Sequence, residues 1–155
     1  MVSVSSLQTT RPTAGVVVLL VETHNDSRDM YTDYLQLCGF TVLTADTTDE
    51  GLRRASEAAV IVTGIRVPGS FDGVELVRQL RGTHQTEERP VIVLTACAFD
   101  SDRERAYAAG CTAYLRVPCL PERLVSEIRA IQRVSRLPKP RPAPVHANAR
   151  KHRAS

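Results

Sequence analysis

Lysine is missing from the first 132 residues of this chain; the two it has, Lys139 and Lys151, stand near its C-terminal end. Chemistry that requires a lysine inside a folded domain has no candidate there. Long hydrophobic runs are missing too. The longest, Val16 to Val21, has six residues, against the roughly 18 to 20 that a membrane span requires. No Lys or Arg precedes Arg11, and Pro12 interrupts the N-terminal stretch, so a secretory-signal pattern is absent. A soluble, cytoplasmic protein without membrane contact is the expectation. Cys38, Cys97, Cys111 and Cys119 show no C-x-x-C spacing and no histidine at ligand spacing, which leaves a zinc site unsupported. In a reducing cytosol, scattered thiols are usually small core residues.

What is present fits one domain with residues to spare. The chain has 155 residues, 43% of them hydrophobic, and a formal net charge of +3. That charge is unevenly placed. All 17 acidic residues precede Arg133, whereas seven of the 20 basic residues follow from Arg133 to Ser155. A mildly acidic body therefore carries a strongly basic tail. Residues 1–14, rich in Ser and Thr, read as a flexible lead-in. Residues 15–132 read as the domain. Residues 133–155 read as a disordered tail, because Leu137 to Pro144 holds four prolines and cannot continue a helix.

Between these ends the pattern is regular. Val16 to Val21, Ala59 to Thr63 and Val91 to Leu94 are apolar runs of strand length, as in strands buried on both faces of a parallel sheet. Phe40 to Thr44 alternates apolar and polar residues, as an edge strand does, and Ala113 to Val117 is a last strand. Helical spacing falls between them. Tyr31, Tyr34, Leu35 and Cys38 mark the first helix, with Asn25 and Asp26 as candidate N-caps and Gly39 as its stop. Thr48 to Glu57 gives a second. Val74, Val77 and Leu80, ended by Gly82, give a third. Asp102 to Ala109, stopped by Gly110, gives a fourth. Pro121 opens a fifth, with Leu124, Val125, Ile128 and Ile131 as its buried stripe. Five strand–helix units in alternation predict a parallel sheet with helices on both faces. Ligands of such sheets sit beyond the carboxyl ends of the strands. That directs attention to Glu22-Thr23, Gly64, Thr95-Ala96 and Val117-Pro118.

Val16 to Glu22 with Arg28, Thr63 to Gly69 leading to Asp72-Gly73-Val74-Glu75-Leu76, Pro90 to Ala96, Ala109-Gly110, Tyr114-Leu115 and Val117-Pro118 occur in order and at fitting spacing. Over roughly residues 16–132 the chain resembles the receiver domain of bacterial response regulators. The resemblance implies a flavodoxin-like (βα)5 doubly wound sheet of strand order 2-1-3-4-5. It also implies two-component phosphorelay signalling. In that family an aspartate after the third strand takes a phosphoryl group from a histidine kinase. Acidic residues after the first strand help it hold magnesium. A hydroxyl residue after the fourth strand and a lysine after the fifth bind the phosphoryl oxygens, and an aromatic on the fifth strand shifts with them.

Carried over by position, the acceptor falls on Gly64, the two metal acids on Glu22 and Thr23, and the lysine on Val117. Thr95 matches the hydroxyl residue, Tyr114 the aromatic, and Pro118 the following proline, which the resemblance suggests is cis. An acyl phosphate needs a carboxylate nucleophile, and glycine has no side chain. Magnesium is usually held by carboxylates together with water and phosphate oxygens; with Glu22 alone, binding is expected to be weak or absent. Valine cannot neutralise phosphoryl charge. Arg116 should point to the other side of its strand. The expectation is a degenerate pseudo-receiver: no enzyme, no cofactor, and protein–protein contact with a histidine kinase or another signalling protein. By family analogy its surface is Arg103 to Tyr107 and Glu122 to Arg129.

Two other readings stay open. One is a phosphorelay receiver with a non-standard acceptor; Thr63 should face away, and Asp72, Asp26 and Asp46 read as turn or cap residues. The other is an adaptor that binds nucleic acid or an acidic partner through residues 133–155. It is not favoured, since no aromatic there can stack on bases. Cys97 and Cys119 follow the fourth and fifth strands, so a redox pair is conceivable, though structural thiols fit better.

Overall fold

The computed structural model describes residues 15–96 and 99–136. Five strands form one parallel sheet: β1 (Val17–Val21), β2 (Thr41–Ala45), β3 (Val60–Thr63), β4 (Val91–Thr95) and β5 (Ala113–Arg116). The helices between and after them are α1 (Asn25–Leu37), α2 (Thr48–Arg54), α3 (Gly73–Arg81), α4 (Asp100–Ala109) and α5 (Pro121–Arg136). The strand order is β2-β1-β3-β4-β5, the doubly wound arrangement that the alternation and the resemblance imply.

The apolar runs become the inner strands for a simple reason. With helices on both faces, both side-chain directions of β1, β3 and β4 are covered, so nearly every residue must be apolar. Leu19, Val21, Ile61 and Val93 pack on one face with Val74, Val77, Leu80 and Ala106, from α3 and α4. Val18, Leu20, Val62 and Ile92 pack on the other with Tyr31, Leu35, Leu124 and Ile128, from α1 and α5. Edge strand β2 pairs only with β1 among the described strands, and most of its residues are half-buried.

Several element ends differ from the sequence reading. The second helix stops at Arg54 and tightens into a 3-10 turn over Ala55–Glu57. Its cap is Thr47, whose Oγ1 accepts from the Glu50 N–H at 3.1 Å, so Asp46 is not the cap. His24 occupies the N-cap of α1 without a side-chain bond, so neither Asn25 nor Asp26 caps that helix. Instead Asn25 accepts from Arg28. The fourth helix begins two residues early, at Asp100. The last helix runs to Arg136, past the change of charge at Arg133. Charge does not end a helix, whereas the residue before a proline is disfavoured in the helical region, and Pro138 comes two residues later. Residues 1–14 and 137–155 lie outside the described residues.

Candidate functional site

The register of the sheet brings the residues after the strands to one end. Val21 pairs with Thr63, Thr63 with Val93, and Thr95 with Arg116. Glu22, Gly64, Thr95 and Val117 thereby line a common cleft of about 910 Å³. Thr23 is half-buried beside it and does not contribute to its lining.

Glu22 is the carboxylate of this cleft, with its side chain 18% exposed. Its Oε2 accepts from the His24 N–H at 2.9 Å and lies 3.2 Å from His24 Nδ1. Its backbone carbonyl accepts from Arg28 at 3.0 Å. One turn of α1 thus folds back on the end of β1 and fixes the carboxylate.

Gly64 is buried, yet a side chain would find room there. A Cβ would stand 3.4 Å from Val67 Cγ2, 3.6 Å from the Leu94 carbonyl oxygen and 3.9 Å from Glu22 Oε1. Gly73 is the opposite case. A Cβ there would fall 1.7 Å from the Gly64 carbonyl oxygen, so only glycine lets α3 start against this backbone. The Gly73 N–H donates to the Ile65 carbonyl at 2.8 Å.

The rest of the loop from Gly64 to Asp72 is held from α2. Thr48, fully buried, donates its hydroxyl to the Phe71 carbonyl at 2.6 Å and its N–H to the Pro68 carbonyl at 2.9 Å. Asp49 Oδ2 accepts from the Ser70 N–H at 2.8 Å and from its hydroxyl at 3.2 Å. Ile65 and Val67 turn inward and form part of the cleft wall.

Among the described residues no group of three or more His, Cys, Asp or Glu side chains is placed to hold a metal ion. A magnesium ion at this cleft would meet one carboxylate, fewer than the hard cation's usual oxygen set would draw from several acids. Tyr31, at the cleft's base, donates to the Cys119 carbonyl at 2.8 Å. Burial pushes its phenol up to about 12, helped by the neighbouring Cys119 and Glu22. Burial also raises the Cys119 thiol, against a smaller opposing pull from Arg123. That disfavours the thiolate a redox partner requires. Cys97 lies outside the described residues.

Thr95 is buried and lines the cleft. Tyr114 is half-buried, with its ring centroid 6.5 Å from that of Tyr107. The Arg103 guanidinium lies over the outer tyrosine at 5.6 Å, within cation–π range. The Val117-Pro118 peptide is cis. Arg116 is exposed outside the cleft lining, 3.9 Å from Asp100. The Thr63 hydroxyl is fully buried and donates to the Gly64 carbonyl at 2.9 Å. Asp72 caps α3 through Glu75 N–H at 2.9 Å, and its other oxygen meets Arg105 at 3.2 Å.

Sequence reasoning missed the apolar rim. Met30, Phe99 and Leu120 are 45%, 65% and 72% exposed, and all three border the cleft. They come from α1 and from the loops after β4 and β5, so no periodic signal joins them. Thr48 and Asp49 were equally hidden as anchors for a loop some twenty residues away.

The response regulator receiver domain family matches residues 18–129. The phosphate regulon transcriptional regulatory protein PhoB of Escherichia coli is 29% identical over 118 residues, 75% of this chain and 51% of PhoB. The transcriptional regulatory protein CpxR of Klebsiella pneumoniae is 32% identical over 119 residues, 76% of this chain and 50% of CpxR. The chain thus spans about half the length of these curated relatives. Among solved structures, the chemotaxis response regulator CheY4 of Vibrio cholerae superposes with a TM-score of 0.70 at 28% identity, covering 76% of this chain and 99% of CheY4. The receiver domain of a Pseudomonas aeruginosa sensor histidine kinase, with magnesium coordinated in its active site cleft, gives 0.69 at 28% identity over 76% of this chain and 97% of its own. Five parallel strands in this order, a cleft at their carboxyl ends and a family match across the whole sheet agree: the chain belongs to the receiver-domain family of response regulators.

Proposed function

We propose that this receiver domain signals by protein contact without taking a phosphoryl group. The observation that carries the reading is the set of residues at the strand ends: Gly64, Thr23 and Val117 stand where the family resemblance would put the acceptor aspartate, one metal acid and the lysine. The first offers no nucleophile, the second no carboxylate, and the third no cation. Magnesium binding is correspondingly weak or absent, and the domain is not an enzyme.

The bonding around the strand-end loops supports the same reading. The loop after β3 is bonded to α2 through Thr48 and Asp49, and Tyr114 packs against Tyr107, which Arg103 covers in turn. Thr95 and Tyr114 then serve as packing residues instead of moving switch elements. The partner is a protein of the signalling machinery, such as a histidine kinase, in the cytoplasm. It meets the face formed by Arg103 to Tyr107 and Glu122 to Arg129.

A non-standard acceptor finds little support. Thr63 is buried and bonded, and Asp72 is engaged as a cap and an ion-pair partner. Asp26 and Asp46 lie outside the cleft lining. The experiment is incubation with acetyl phosphate and magnesium, read by intact mass. No phosphorylated species is expected; an acid-resistant, base-labile adduct would defeat the proposal.

A further inference from the structure

The cleft at the strand ends is lined chiefly by apolar groups, and Glu22 is its single carboxylate among the described residues. Ile65, Val67, Leu94, Val117 and Pro118 supply walls, with Met30, Phe99 and Leu120 at the rim. Its volume of about 910 Å³ falls within the range of small-molecule sites, roughly 300–1,000 Å³.

Glu22 gives the cleft its sign. One carboxylate oxygen is committed to His24. The other, Oε1, faces Gly64 and has no hydrogen-bond partner among the described residues. Neither Arg28, beside the end of β1, nor Arg66, in the cleft lining, neutralises it. Arg28 is turned to the Glu22 carbonyl and to Asn25. Arg66 is exposed at the lip and forms no ion pair with Glu22. A carboxylate partly withdrawn from water favours a cationic partner. Apolar walls around it favour a hydrocarbon or aromatic body on that cation.

We propose that this cleft is a binding site for a small amphipathic ammonium compound, its cationic nitrogen on Glu22 Oε1 over Gly64 and its apolar body between the walls formed by Ile65, Leu94 and Val117. Phe99 and Leu120 close over the far end. Occupation would couple the loops after β3, β4 and β5, and so the face that meets a protein partner. The inference rests on the reading that this cleft takes no phosphoryl group. The two fail separately, since that reading is decided by intact mass and this one by ligand titration.

The test is a titration of the isotopically labelled full chain with phenethylammonium, followed by backbone amide resonances. Saturable shifts are expected at Glu22, Gly64, Ile65 and Thr95. The anion 3-phenylpropionate, which carries the same phenethyl body, should bind at least about tenfold more weakly, the scale of one charge-assisted contact. Glu22→Gln keeps an acceptor for the His24 N–H. It should weaken phenethylammonium about tenfold while leaving the neutral 3-phenyl-1-propanol unchanged. Val117→Lys, which places an ammonium in the cleft, should abolish binding of the probe. Absence of saturable shifts at these amides, equal binding of cation and anion, equal weakening of ammonium and alcohol by Glu22→Gln, or full binding by Val117→Lys would each overturn the proposal.

Discussion

The two ends of the sheet are built on opposite principles. At the amino ends of the strands, polar groups are spent on structure. Arg81, at the last turn of α3, donates to the carbonyls of Gly110 at 2.9 Å, Glu87 at 3.1 Å and Arg89 at 2.7 Å, and reaches Thr112 Oγ1 at 3.4 Å. Burial lowers its pKa from the ordinary guanidinium value. Arg89 in turn donates to the carbonyls of Ser56 and Ala58. Two arginines thereby tie together the connections that lead into β3, β4 and β5. At the carboxyl ends, the strands deliver Glu22, Gly64, Thr95 and Val117 to a cleft with mostly apolar walls. At that end the structural bonds lie behind the cleft, from Thr48 and Asp49 to the loop after β3 and from Tyr31 to the Cys119 carbonyl. A strand-end position such as Gly64 can therefore change its side chain with little effect on the fold.

The comparison can be broken most forcefully at Arg81. Arg81→Ala would leave several carbonyls without their donor, and the expected loss of stability is about 3 kcal/mol, measured by chemical denaturation. A loss below about 1 kcal/mol would mean that the amino end does not hold the fold. Gly73→Ala comes next. Its Cβ overlaps the Gly64 carbonyl, so a loss of about 2 kcal/mol or more is expected from overpacking. Gly64→Ala sits nine residues earlier, yet its Cβ meets only ordinary contacts. Its stability should stay within about 0.5 kcal/mol of the parent. That pair separates a glycine required by backbone approach from one that merely lacks a functional group.

A smaller effect distinguishes the two ends by pH. Cys111, near Arg81, is raised from 9.0 to about 11 by burial, and Tyr31, under the cleft, from 10.0 to about 12. Both groups are buried neutral. Their stabilising contribution is therefore fully present below the unfolded value and is lost as pH rises through the folded one. Stability should fall first between pH 9 and 11 from Cys111, then between pH 10 and 12 from Tyr31. Cys111→Ala should remove the first component and Tyr31→Phe the second, as read by denaturation midpoints across that range. A curve unaltered by either substitution would remove burial of these groups from the explanation.

Much of this was legible in the sequence, for reasons that individual residues make plain. Val16 to Val21 and Val91 to Leu94 announce inner strands because burial on both faces forces continuous apolar composition. The residues that end those strands then mark the cleft, since parallel strands all point their carboxyl ends the same way. The helix ends were less legible. Asp46 and Thr47 are both good caps by type, and only the backbone shows that Thr47 holds the position. The basic run from Arg133 suggested a boundary that the helix ignores until the prolines approach. The apolar rim was not legible at all. Met30, Phe99 and Leu120 meet only through the tertiary fold.

The decisive measurement compares the native chain with a variant carrying Thr23→Asp, Gly64→Asp and Val117→Lys. Each is incubated with acetyl phosphate and magnesium and weighed intact. Gly64 has room for a side chain, so the variant should gain one acid-resistant, base-labile phosphoryl group while the native chain gains none. A native chain that takes up the phosphoryl group as readily as the variant would contradict the proposal that its signalling is independent of phosphorylation.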